Sequence, residues 1–119
     1  AAINADSLKA FALKGLAKVE AIDGNHQKSI ELLNEANQIS ATIDDLILNK
    51  ELFVGLSAEY LALNQWDNFK ATNKKVVATQ TLINERERKS IESSLVNKET
   101  EIQTAFSASK PSLFGLLFL

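Results

Sequence analysis

The sequence predicts an all-α domain built of antiparallel helical hairpins, and three observations lead there. Helix-forming residues dominate: Ala, Leu, Lys, Glu, Asn and Gln are plentiful, whereas Pro occurs once and Gly four times. Apolar residues return at steps of three and four along most of the chain, and the β-branched residues are scattered rather than alternating. The chain also resembles itself at a spacing of forty residues, the mark of stacked like units. With 119 residues, 45% of them apolar, one domain can fill a core without help, and the absence of Cys removes disulfides and thiolate chemistry together.

The first helix is carried by Leu8, Phe11, Ala12, Leu16, Val19 and Ile22, which form one stripe expected to face the core. Asp23-Gly24-Asn25 ends it: Gly24 is free to take a left-handed conformation, and Asn25 is placed to accept a hydrogen bond from the first amides of the next helix. The second helix shows Ile30, Leu33, Ala36, Ile39 and Ile43 and runs out near Asp44-Asp45, two acids that suit the positive start of a third helix. Ile47, Leu48, Leu52, Leu56, Tyr60 and Leu63 mark that third helix, which stops at Asn64, the residue after Gly that best tolerates positive φ. Trp66, Phe69, Val76, Val77, Leu82 and Ile83 begin a fourth. Near Asn84, Asn84-Glu85-Arg86-Glu87 reads either as a capping box opening a fifth helix or as the continuation of one long helix. Ile91, Leu95, Ile102 and Phe106 then give a narrow stripe suited to a capping or coiled-coil helix.

Superposing the turn at Gly24 on that at Asn64 brings Leu16-Ala17 over Leu56-Ser57, His26 over Trp66, Ala36 over Val76 and Ile39 over Thr79. On these residues the chain resembles the tetratricopeptide repeat family. That pattern has a Leu-small pair in the first helix, Gly at the turn, an aromatic residue two positions later and small residues in the second helix. Leu16-Ala17, Gly24 and Ala36 match in the first unit; Leu56-Ser57, Tyr60 and Trp66 match in the second. The departures are a longer period, no proline closing either unit, Phe69 where a small residue is usual, and Glu20 in place of an aromatic. The resemblance implies a short right-handed solenoid with repeats at about 6–43 and 44–84 and a capping helix at about 85–108, one domain spanning 1–110. Leu16, Ala17, Leu33, Ala36, Leu56, Tyr60 and Trp66 should then be buried. The charged segment from Glu85 to Glu101 resembles the helix that follows the last repeat in membrane-anchored bacterial sensor kinases and regulators. That second resemblance implies the sensory or scaffolding part of a larger signalling protein, on the extracytoplasmic side of a bacterial membrane.

Catalysis is not expected. His26 is the only histidine, so no second imidazole exists for a metal pair or shared acid-base work, and no Gly-x-Ser-x-Gly elbow or phosphate-cradling Gly-rich loop is present. No cofactor or metal is expected. Thirteen basic against fifteen acidic residues, a net charge of −2 and no basic block argue against nucleic acid. What the resemblance implies instead is a peptide- or protein-binding groove, lined by the first helix of each unit: Lys14 and Lys18, then Glu51, Val54 and Ala58. Two other classes of function stay open. One is a structural domain that self-associates through its last helix; the other is a small-ligand carrier with an apolar cavity.

Ala1 to Asp6 has neither the basic nor the apolar region of a signal peptide. After Pro111 the residues are nearly all apolar, with Phe114, Leu116, Leu117, Phe118 and Leu119. A membrane-spanning helix takes roughly 20 residues. The segment is therefore expected to be either the first part of such a helix or a tail that docks on apolar surface through Phe114, Leu116, Leu117 and Phe118.

Overall fold

The computed structural model describes the backbone of residues 5–109 and the side chains of residues 5–98. Four helices follow one another: α1 Ala5–Ile22, α2 His26–Ser40, α3 Leu46–Ala62 and α4 Trp66–Ser109. No strand occurs among the described residues. The chain divides into two compact units, Ala1–Ile83 and Asn84–Leu119. Helix α4 runs through Asn84 without a break, so of the two readings of Asn84-Glu85-Arg86-Glu87 the continuous helix is the one adopted. The apolar segment with Phe114, Leu116, Leu117 and Phe118 lies outside the described residues.

The two hairpin turns are built alike. Gly24 has φ +86° and Asn64 φ +58°, the left-handed conformation expected of both. Around Gly24 the Asp23, Gly24 and Asn25 amides donate to the Val19, Ala21 and Glu20 carbonyls at 3.0, 3.1 and 2.8 Å. Forty residues on, the Leu63, Asn64 and Gln65 amides donate to Glu59, Leu61 and Tyr60 at 3.1, 3.0 and 2.8 Å. The forty-residue correspondence read from side chains is thus also a correspondence of backbone hydrogen bonds. Contrary to the sequence expectation, the Asn25 side chain does not cap α2; its Nδ2 donates instead to Glu20 Oε2 at 2.8 Å.

Between α2 and α3 the chain turns differently. Helix α2 stops at Ser40, three residues before Ile43. Ser40 Oγ donates to the Asn37 carbonyl at 3.1 Å and Thr42 Oγ1 to Ile39 at 2.7 Å, hydroxyl contacts that compete with helix continuation. Asp45 then caps α3, its Oδ1 accepting the Leu48 amide at 3.0 Å.

The core comprises Ala10, Leu13 and Ala17 of α1, Ile30, Leu33 and Ala36 of α2, and Leu48, Leu52 and Leu56 of α3. Phe53, Tyr60 and Leu63 are packed against it and half-buried. Helix α3 approaches α2 closely at Gly55, where a Cβ would lie 3.3 Å from Leu33 Cδ1. Helix α4 turns Thr72 and Thr79 inward, and the Thr79 hydroxyl is satisfied by the Lys75 carbonyl at 2.7 Å.

Two further sequence expectations are overturned. The stripe Leu8, Phe11, Leu16, Val19 and Ile22 faces away from the core, and the buried face of α1 is Ala10, Leu13 and Ala17 on the opposite side. Leu16 is 54% exposed although its counterpart Leu56 is 3% exposed, and Trp66 is 56% exposed. Both corrections have one cause. Leu56 belongs to a helix flanked by α2, and α1 has no described helix before it. His26 meets Glu59 of the helix that follows α2, while none follows α4 among the described residues.

Candidate groove between α1 and α3

A cleft of about 400 Å³ lies between α1 and α3 with α2 beneath. All five groove residues read from the sequence line it: Lys14 and Lys18 from α1, and Glu51, Val54 and Ala58 from α3. The helical period explains the grouping. Residues 14 and 18 are one turn apart on α1, and residues 51, 54 and 58 step by three and four along α3, so each set forms one edge. The floor is made by residues that the sequence reading did not single out, Gly15, Ala17 and Ala21 of α1, Gly55 of α3 and Leu33 of α2. One signal for them was available: Gly15 and Gly55 are themselves forty residues apart. Small residues keep the cleft open, and Gly15 has no heavy atom within 4 Å of where a Cβ would stand.

Two side-chain pairs tie the walls together. Lys14 Nζ is ion-paired with Glu51 Oε2, linking α1 to α3, and it also lies over the Phe11 ring, 5.4 Å from its centroid. At the deep side, His26 Nδ1 and Glu59 Oε2 are 2.6 Å apart, which ties α2 to α3. Glu59 is buried, and a buried carboxylate is tolerated only where a hydrogen bond replaces the water it loses. His26 itself is half-buried against Glu59.

These pairs leave Lys18 as the lining cation with no ion pair among the described residues. The groove therefore offers apolar surface from Val54, Ala58 and Leu33, edged by one free ammonium group. Among the described residues no group of three His, Asp or Glu is placed to hold a metal ion. None of the described helices is long and apolar enough to cross a membrane. In the second unit the described side chains, including Ile91, Leu95 and Val96, are exposed.

No protein-family model, curated protein or solved structure matches the chain.

Proposed function

We propose that the chain is a protein- or peptide-binding module of stacked helical hairpins, and that its ligand seats in the groove between α1 and α3. The observation that carries this reading is the convergence of Lys14, Lys18, Glu51, Val54 and Ala58 on one cleft whose walls are already tied together. A preformed groove lowers the ordering cost of binding. Its chemistry selects a segment that places a small or branched apolar side chain against Val54 and Ala58 and a carboxylate near Lys18. Assignment to the tetratricopeptide type rests on the residues of the two turns and on the Leu-small pairs. A place in a larger signalling protein rests on the charged segment after Asn84.

Selection from a displayed library of random peptides tests the reading. Enriched peptides should share an apolar residue with a nearby acid, and Ala58→Trp, which fills the groove from an exposed helix position, should weaken them at least tenfold. Failure to enrich any peptide, or peptides indifferent to Ala58→Trp, overturns it.

A second reading, self-association through the last helix, is favoured by the exposure of Ile91, Leu95 and Val96. Under it, Leu95→Lys should abolish association of the intact chain. Association unchanged by that substitution removes this alternative.

A further inference from the structure

The outward face of α1 exposes Leu8, Phe11, Leu16, Val19 and Ile22. Its residues are the forty-residue counterparts of a known contact. Leu8, Ala12, Gly15, Leu16 and Val19 correspond to Leu48, Leu52, Gly55, Leu56 and Glu59, and the latter set is buried or half-buried where α3 lies on α2. At Gly55 the close approach is filled by Leu33; at Gly15 nothing is within 4 Å. The face therefore has the shape of a helix seat with no helix on it.

We infer that a second copy of this chain covers it, α1 packing antiparallel on the partner's α1 about a two-fold axis beside residues 15 and 16. The spacing supports this pairing. Leu8, Ala12, Gly15, Val19 and Ile22 step by four, three, four and three, the seam of a two-helix coiled coil. Lys9, Leu16 and Asp23 lie along one edge of that seam, seven residues apart. Neither Lys9 nor Asp23 makes an ion pair among the described residues. Antiparallel pairing sets Lys9 of each copy against Asp23 of the other, so two opposite-charge pairs form at once, as an isologous interface requires. It also sets Leu16 of one copy over Gly15 of the other, the role that Leu33 plays over Gly55.

Head-to-tail stacking fits less well. There the seat would receive the outer face of α4, where Asn73 stands at the position of Leu33.

Because the chain has no Cys, one introduced residue reports on the geometry. Leu16→Cys in the full chain should give a disulfide-linked dimer under mild oxidation, and Val54→Cys, exposed in the groove, should not. Sedimentation equilibrium should show a concentration-dependent dimer whose dissociation constant rises about tenfold in Lys9→Asp and in Asp23→Lys, and returns towards the original in the double variant. Circular dichroism of these exposed-site variants should match the parent. A concentration-independent monomer, association that ignores both charge reversals, or linkage of Leu16→Cys only to Val77→Cys in a mixture would each overturn the proposal.

Discussion

Gly15 and Gly55 are equivalent by the forty-residue correspondence, yet their surroundings differ, so one substitution made at both separates helix propensity from packing. Replacing a helical Gly by Ala gains about 0.5–1 kcal/mol because less backbone freedom is lost on folding. At Gly15 the added Cβ meets no heavy atom within 4 Å, so Gly15→Ala should stabilise by that full amount. At Gly55 the same Cβ would stand 3.3 Å from Leu33 Cδ1 and 3.4 Å from Cδ2. Leu33 is buried, and moving it against close-packed neighbours costs about 1–3 kcal/mol. Gly55→Ala should therefore be destabilising by about 1 kcal/mol, the packing cost exceeding the propensity gain. Urea denaturation followed by far-ultraviolet circular dichroism, at concentrations low enough to keep the chain monomeric, measures both. Equal stabilisation at the two sites would refute the close approach of α3 to α2. A destabilised Gly15→Ala would refute the open counterpart on α1.

Four further outcomes follow from the same contacts. Ala36 is fully buried, so Ala36→Leu should destabilise by roughly 1–3 kcal/mol through overpacking, read in the same melts; a neutral result would place it away from a tight contact. Ser57 Oγ is buried with no hydrogen-bond partner, and Ser57→Ala should raise stability by about 1 kcal/mol, whereas a loss would reveal a bond to that hydroxyl. At Asn64, Asn64→Val should cost about 1–2 kcal/mol and Asn64→Gly almost nothing, because only the first opposes a positive φ; similar melts for both would deny the turn its conformation. His26→Ala removes the partner of a buried carboxylate and should destabilise by about 1–3 kcal/mol, an effect that Glu59→Gln in the same chain should diminish.

The hairpins were legible because their punctuation is local. A Gly and an Asn at equal offsets, each followed two residues later by a ring at the next helix start, specify two turns without knowledge of the rest of the chain. The residues Lys14, Lys18, Glu51, Val54 and Ala58 were named through the repeat resemblance, which puts the first helix of each repeat on one face, and the five line one cleft. The core face of α1 was not legible. Its large apolar residues point outward and its inward face is mostly Ala, so a reading that follows hydrophobic bulk chooses the wrong side. The end of α2 depended on hydroxyl contacts of Ser40 and Thr42 that carry no periodic signal. The link between His26 and Glu59, 33 residues apart in sequence, arises only when α3 is laid on α2, though a lone acid within an apolar helix face was a sign that a partner was needed.

Amide chemical-shift mapping of a library-selected peptide, titrated into the full chain, tests the central claim most directly. If the groove binds peptides, the largest shifts should cluster at Lys14, Lys18, Val54, Gly55 and Ala58 and vanish in Ala58→Trp. Shifts concentrated instead on Leu8, Leu16 and Val19 of the outer α1 face, or along α4 beyond Asn84, would contradict it.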